Sequence, residues 1–247
     1  MCHAICAICA VSVLLSAGAP LSHAAENEGK IRVLLTYGGH GFDQKAFFAM
    51  FDELPGVEYT KVSLPESADL LKPGLEKEYD VIVRYDMVGQ FTPEQRQAFV
   101  ELLGKGIGLV ALHHNLGAHR GWDEYARIIG GKFAFAPWEL DGKSQPKSTF
   151  AHGQEIAVSV ADKDHPISQG LSDFTVHDET YGRYYTSPEA KVLLTTDHPK
   201  SDAELAWVLR YGNSRVFYLL LGHDNHAWKQ PPYRKLLLRG IRWAAEE

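Results

Sequence analysis

Histidines occur in short polar clusters along this chain, each close behind a run of β-branched or aliphatic residues. The clusters read GGHGFD at 38–43, LHHN at 112–115, VHDET at 176–180 and LGHDNHAW at 221–228. Polar side chains behind successive parallel strands meet at one edge of a sheet, where α/β proteins bind their ligands. Imidazole and carboxylate groups that meet there can bind a metal ion or transfer protons.

The position of each residue within its cluster determines its predicted role. The residues predicted to be catalytic are His40, His113, Glu179 and His223, which are expected to face inward at the ends of strands. Backbone alternation places His177 and Glu179 on one side of a strand, where the two can share a metal ion. The predicted ligands of one divalent metal ion are His40, His113, His177, Glu179 and His223. The alternative is that these residues act directly as acid and base.

A second group of residues is predicted to contact a substrate. It comprises His114, Asp178, Tyr181, Trp138 and Trp228, in which the aromatic rings are suited to stacking on a sugar. His119 is predicted to lie on the surface. His152, His165 and His198 are predicted to be structural, and His226 is predicted to be either a partner of His223 or a structural residue of the following helix.

Several kinds of site are excluded by the sequence. The cluster GGHGFD lacks the G-x-G-x-x-G spacing of a dinucleotide loop, and no P-loop occurs, so no nucleotide cofactor is expected. The cysteines Cys2, Cys6 and Cys9 all lie in an apolar N-terminal segment, which leaves no thiol beyond it for a nucleophile, a disulfide or a metal. A net charge of −6 provides no field that would recruit nucleic acid.

The N-terminal segment, residues 1–24, has the pattern of an export signal. An apolar stretch ends in small residues, and Ser22 and Ala24 fit a cleavage site directly after Ala24. The alternative is a retained membrane anchor. Cleavage predicts a periplasmic or extracellular protein that has no membrane span and consists of one domain over residues 30–247.

The polar clusters are positioned by an alternation of strands and helices. Strand patterns at 30–37, 57–63, 79–85 and 106–112 alternate with helical patterns at 44–54, 92–104 and 121–129. This order is typical of a doubly wound α/β fold with a mostly parallel sheet and helices on both faces. Strand patterns at 155–160, 173–177, 191–196, 205–211 and 215–221 then predict an antiparallel extension, before a last helix at 231–246. Residues 137–153 are predicted to form a loop.

The clusters and their order resemble the ThuA-like family of trehalose utilisation. The residues that carry the resemblance are GGHGF at 38–42, GLVALHH at 108–114, GGKF at 130–133, DHPISQGL at 164–171, HDETYG at 177–182 and LLLGHDNHAW at 219–228. The resemblance covers roughly residues 31–245, nearly the whole chain after the export signal, and implies a fold similar to that of class I glutamine amidotransferases. His113 then stands at the position of the amidotransferase cysteine and His223 at that of its catalytic histidine, so glutaminase activity is not expected.

The resemblance implies a carbohydrate substrate, either a glycoside or a keto-glycoside, and a hydrolysis, elimination or isomerisation. Two alternatives remain open at this stage. One is a non-catalytic module in which the aromatic residues stack on sugar rings, and the other is a structural or interaction domain. The expected partner is a small carbohydrate, and assembly into a homo-oligomer is compatible with the sequence.

Overall fold

The computed structural model of the protein describes Met1 and residues 29–246. The predicted export signal and its cleavage site at Ala24 therefore lie outside the described residues, Met1 excepted. Within the described part of the chain, no helix is both long and apolar enough to cross a membrane.

The first half of the chain alternates strands and helices, as the sequence predicts. Its elements are β1 (Ile31–Gly38), α1 (Gln44–Asp52), β2 (Val57–Ser63), β3 (Val81–Asp86), α2 (Pro93–Leu103), β4 (Gly108–Leu112) and α3 (Asp123–Ile129). Short 3-10 helices lie at Ala68–Leu70, Leu75–Lys77 and His113–Gly117. Helix α2 begins where its sequence predicts because its first turn is capped by local hydrogen bonds. The Thr92 side chain accepts a hydrogen bond from Gln95 N, and the Gln95 side chain accepts one from Thr92 N.

The second half of the chain is rich in strands and ends in two helices. Its strands are β5 (Gly131–Lys132), β6 (Trp138–Leu140), β7 (Lys143–Gln145), β8 (Thr149–Val160), β9 (Phe174–Gly182), β10 (Tyr185–Thr186), β11 (Lys191–Thr195), β12 (Glu204–Tyr211) and β13 (Ser214–Leu219). Its helices are α4 (Asn225–Trp228) and α5 (Pro231–Ala245).

One sheet of nine strands joins the two halves in the order β2-β1-β3-β4-β13-β12-β11-β8-β9. Neighbours from β2 to β13 are parallel, and neighbours from β13 to β9 are antiparallel. The α/β fold with an antiparallel extension is thereby confirmed. Every residue of β3 and β4 is buried, as expected of central strands covered on both faces.

The prediction of a loop over residues 137–153 is wrong. Strands β6 and β7 form a hairpin whose two turn residues, Asp141 and Gly142, both have positive φ. This is the conformation of a tight hairpin turn, for which Asp-Gly is a strong sequence signal. Strand β8 begins at Thr149, within the same segment.

Strands β8 and β9 extend beyond their short pairing with β11 as a two-stranded arm. Only Ser159 and Val160 of β8 pair with β11, whereas β8 and β9 pair along most of their length. A register shift between Ala151 and Gln154 interrupts that pairing, and such bulges bend a strand. The β8–β9 arm can therefore reach the carboxyl ends of the parallel strands, where the polar clusters lie.

Candidate functional site

Three side chains converge beyond the carboxyl ends of the parallel strands. Nε2 of His113 lies 3.0 Å from Oε2 of Glu179 and 3.2 Å from Nδ1 of His223. Nδ1 of His223 lies 3.2 Å from the same Glu179 oxygen. His113 follows β4, His223 follows β13 and Glu179 belongs to the β8–β9 arm, so the cluster joins the parallel strands to the antiparallel extension.

His113 stands on a sharp turn directly behind β4. Its φ of 45° lies in the left-handed region, which residues other than glycine seldom adopt. In α/β-hydrolases, the catalytic nucleophile stands on a comparable strained turn between a strand and a helix. The imidazole is fully buried and stacks on the Tyr181 ring, with 4.9 Å between the ring centres. The backbone here therefore holds an imidazole in one fixed direction.

Hydrogen bonding fixes the tautomer of His113. Its Nδ1 lies 2.6 Å from the carbonyl oxygen of Leu220, which can only accept, so Nδ1 carries a hydrogen. In the neutral ring, Nε2 then has no hydrogen and can accept a hydrogen bond from the Tyr181 hydroxyl at 3.0 Å, although it also faces the Glu179 carboxylate. Two acceptors at 3.0 Å repel each other. The contact becomes favourable when a second proton on His113, or a cation shared by both atoms, lies between them.

Glu179 provides the negative charge of the site. Burial alone would raise the pKa of this carboxyl, but the contacts with the His113 and His223 imidazoles outweigh burial and hold the pKa well below its usual range. The hydrogen bond to Glu179 in turn raises the pKa of His223. The second carboxylate oxygen of Glu179 lies 3.0 Å from Nδ1 of His152. Three imidazoles therefore surround one buried carboxylate.

Asp178 holds the loop that carries His223. Its carboxylate accepts hydrogen bonds from the backbone N–H groups of Gly222 (2.6 Å) and His223 (2.9 Å), and from that of Glu179 (2.9 Å). Asp178 is buried, and burial raises the pKa of its carboxyl. The prediction that Asp178 contacts substrate is corrected, because its oxygens are occupied by backbone donors and the side chain has no surface open to a ligand.

His40 and His114 form a stacked pair on the opposite side of the cluster. Their ring centres are 4.6 Å apart, and the centre of the His40 ring lies 6.4 Å from that of His223. His114 is buried with Nε2 3.3 Å from the Tyr85 carbonyl oxygen, whereas His40 is exposed on its glycine-rich loop. Burial lowers the pKa of both imidazoles, that of His114 most strongly. Both rings therefore favour the neutral form.

His152 belongs to the site although the sequence predicts a structural role for it. It lies in the irregular part of β8, contacts Glu179 through Nδ1, and its ring centre is 5.0 Å from that of His223. Its side chain is 62% exposed, so it can meet a ligand. No local sequence signal marks His152, because only the pairing of β8 with β9 brings it beside Glu179.

An open cavity of about 190 Å³ adjoins the cluster. Its polar wall is formed by His40, His114, His152, Glu179 and Tyr181. Its apolar wall is formed by Met87, Gly117, Phe133, Phe135 and Phe150. A substrate in this cavity would contact both imidazoles and aromatic rings.

Three predicted site residues lie elsewhere. Nδ1 of His177 forms a hydrogen bond of 2.6 Å with Glu155, its cross-strand neighbour on β8, and His177 does not join the three-residue cluster. Trp228 is buried against Phe47 and donates its indole N–H to the Gly222 carbonyl, so it has no face for a sugar. Trp138 packs under the Lys132 ammonium and does not line the cavity.

His119 is buried beside an ion pair, contrary to the predicted surface position. Arg84 and Asp86 are fully buried and share two hydrogen bonds of 3.0 and 2.7 Å. The Arg84 guanidinium also donates to Nε2 of His119 at 3.1 Å. Because that nitrogen must accept, His119 is neutral, and burial lowers its pKa well below the usual value. His165 and His198 accept hydrogen bonds within their turns, as expected of structural residues.

Comparison with known proteins assigns the chain to a family. The sequence pattern of ThuA, described as trehalose utilisation, matches residues 29–244. A ThuA-like protein from Parabacteroides merdae ATCC 43184 is 23% identical, with a TM-score of 0.72, over 87% of this chain and 90% of that chain. One from Bacteroides uniformis ATCC 8492 is 20% identical, with a TM-score of 0.67, over 92% of this chain and 95% of that chain.

More distant structures share the architecture. A β-galactosidase from Bacillus circulans sp. alkalophilus is 11% identical, with a TM-score of 0.55, over 88% of this chain and 31% of that enzyme. At such identities the likeness concerns the fold alone. No curated protein matches this chain.

Proposed function

Because this chain belongs to the ThuA family of trehalose utilisation, we propose that its histidine-rich site acts on a glycoside or a keto-glycoside. One observation carries the proposal: Nε2 of His113, Oε2 of Glu179 and Nδ1 of His223 meet within 3.2 Å of one another. Glu179 of this group lines the open cavity, so the three groups can act together on a ligand bound there. A glutaminase is excluded, since no cysteine stands at the turn behind β4.

The same three atoms suit one divalent metal ion. Two imidazoles and a carboxylate are a donor set of zinc hydrolases and of non-haem iron sites with open positions. Ligand atoms bound at about 2.1 Å in such a site are separated by about 3.0–3.5 Å, which agrees with the observed separations. The cation would polarise a sugar carbonyl or hydroxyl oxygen.

His40 and His152 are the groups that move protons in this proposal. Both line the cavity, and they flank His223, with ring centres 6.4 and 5.0 Å from its ring. His40 favours the neutral form because burial lowers its pKa, so it can accept a proton near pH 7. His152, held by Glu179, can donate one.

Elimination from a 3-keto-glycoside is the step that these positions fit. The carbonyl acidifies the hydrogen on C2, and His40 removes it. The electron pair left on C2 forms a C1–C2 double bond while the C1–O glycosidic bond breaks. His152 gives its proton to the departing oxygen. The step is redox-neutral and needs no further reactant.

The proposal is tested with His113→Ala, His223→Ala and the matched control His226→Ala, which removes an exposed histidine of α4. The wild-type protein should bind one equivalent of divalent metal in elemental analysis and turn over 3-keto-glucosides. Each site variant should lose at least about 100-fold in turnover and most of its metal, since loss of even a supporting residue costs about 10–100-fold. The control variant should match the wild type.

Three outcomes would change this assignment. Unchanged turnover in both His113→Ala and His223→Ala would exclude the site. Turnover that resists chelators in metal-free protein would leave acid–base catalysis by the histidines alone. Binding of unmodified sugars without any turnover would instead support a non-catalytic sugar-binding module.

Export from the cytoplasm is part of the same proposal. It is supported by the apolar N-terminal segment and the small residues that precede Ala25. Expression of the full chain in a Gram-negative host should give a periplasmic protein whose N-terminal residue is Ala25. A full-length chain retained in the membrane fraction would indicate an uncleaved anchor.

A further inference from the structure

The cavity beside the cluster is lined by two chemically different groups of residues. Glu179 and the imidazoles form the polar group, named the polar end, and Met87, Gly117, Phe133, Phe135 and Phe150 form the apolar group, named the apolar end. The two groups meet where the centre of the Phe150 ring lies 5.3 Å from that of the His152 ring. A ligand that fills the whole cavity must therefore offer both polar and apolar surface.

A chain of aromatic rings connects the two ends. His113 stacks on Tyr181 with 4.9 Å between ring centres, and Tyr181 contacts Phe133 at the same separation. Phe133 then contacts Phe135 at 5.1 Å and Phe150 at 6.5 Å. These separations are within the range of attractive aromatic contacts. The apolar end is thus continuous with the proposed catalytic cluster.

The mouth of the cavity exposes apolar surface. Beyond Met1, the large apolar side chains exposed in the described part of the chain are Leu70, Phe135 and Phe150, and the two phenylalanines both border this cavity. Their exposed fractions are 39% and 57%. The guanidinium of Arg120 lies 3.9 Å from the centre of the Phe135 ring and helps to hold it in place. Exposed aromatic surface beside a polar site is typical of a ligand-binding surface.

We propose that this apolar end binds the aromatic aglycone of an aryl glycoside, while the sugar lies at Glu179 and the histidines. A second sugar would leave hydroxyl groups without hydrogen-bond partners against Phe133, Phe135 and Phe150, which is costly. A phenyl ring has no such groups and gains aromatic contacts there. The inference rests on the proposed function, since it places the sugar at the catalytic cluster.

The test measures binding and does not require turnover. Isothermal titration compares phenyl β-D-glucopyranoside with methyl β-D-glucopyranoside, and their α-anomers, on the full chain after export. The phenyl glycoside should bind about tenfold more tightly, because an aromatic ring adds stacking contacts that a methyl group lacks. Phe135→Ala and Phe150→Ala should each reduce this ratio by about threefold. Leu70→Ala, an exposed apolar residue outside the cavity, should keep the ratio.

Three results would overturn the aglycone assignment. They are equal affinity for phenyl and methyl glycosides, an unchanged ratio in both phenylalanine variants, and binding of trehalose or cellobiose as tight as that of the phenyl glycoside. Phe135→Tyr, which keeps the ring, should retain the preference if stacking is its cause. If the phenyl preference holds while no keto-glycoside is turned over, the proposed reaction fails and the aglycone site stands.

Discussion

Glu179 is the residue on which the electrostatics of the site depend. Its two carboxylate oxygens contact His113, His223 and His152, all at 3.0 to 3.2 Å, although the side chain is almost fully buried. A buried carboxylate is stable only when cations or hydrogen-bond donors surround it. His223 supplies one such hydrogen bond, and His113 and His152 each place a ring nitrogen 3.0 Å from the carboxylate.

Replacing Glu179 by Gln should lower the pKa of His223 in metal-free protein. The hydrogen bond to Glu179 is the main cause that raises this pKa, so a neutral side chain of similar size removes the effect. An NMR titration of the imidazole protons measures the change. Glu155→Gln is the matched control, because Glu155 contacts His177 and not the cluster. An unchanged His223 titration in Glu179→Gln would contradict the described geometry.

At the scale of elements, the loop between β13 and α4 joins the β8–β9 arm to the parallel sheet. Asp178 on the arm binds two backbone N–H groups of this loop, and Tyr85 and Trp228 both donate to the Gly222 carbonyl. Gly222 has a φ of +115°, and a Cβ at this position would lie 2.6 Å from the Tyr233 hydroxyl. The direction of His223 therefore depends on the absence of a side chain at the preceding residue.

Gly222→Ala should destabilise the protein by about 2–4 kcal/mol and displace His223, because backbone strain and overpacking against α5 add together. Urea unfolding and turnover measure the two effects. Gly142→Ala is the control, since Gly142 also has positive φ but open space around its Cβ, and it should cost only about 1 kcal/mol. Adding Tyr233→Phe should recover part of the loss in Gly222→Ala by removing the clashing hydroxyl. Equal destabilisation by the two glycine variants would exclude the clash with Tyr233.

For the whole molecule, a buried polar network links the central strands to the segment that carries His113. Arg84 and Asp86 of β3 pair in the core, Thr36 of β1 donates to Asp86, and the Asp86 carbonyl accepts from Asn115. Arg84 also requires His119 to remain neutral. Because a buried unpaired charge is very costly, the stability of the fold depends on the protonation states within this network.

Folding stability should fall as the pH decreases below about 6.5, because the folded state keeps His119 and His114 neutral. Their folded pKa values lie well below the usual one, so the unfolded chain binds the additional protons and is favoured in acid. Each histidine contributes a slope of about 1.4 kcal/mol per pH unit between the unfolded and folded pKa values. Urea unfolding at several pH values should show a smaller slope for His119→Gln. His226→Gln, at an exposed position, should keep the wild-type slope, and equal slopes for all three proteins would contradict burial of a neutral His119.

Most of the architecture could be predicted from the sequence because its signals are local. Strand β2 occupies the predicted residues 57–63, and α2 begins after the capping residue Thr92. The polar clusters containing His40, His113 and His223 stand behind β1, β4 and β13 as expected. Apolar periodicity, helix caps and chain order act over a few residues, and parallel strands necessarily end at the same edge of a sheet.

The composition of the site was decided only by the tertiary structure. The β8–β9 arm is placed by strand pairing between residues far apart in sequence, and that pairing brings His152 to Glu179 and His177 to Glu155. Packing between distant segments likewise buries Trp228. It also brings together the apolar residues that line the cavity, which are Phe133, Phe135 and Phe150. The sequence by itself determined that histidines would gather at one edge of the sheet. The irregular pairing of β8 with β9 decided which of these histidines contact Glu179. Backbone alternation predicts the face of the strand on which a side chain lies, but it does not predict the residue that the side chain contacts.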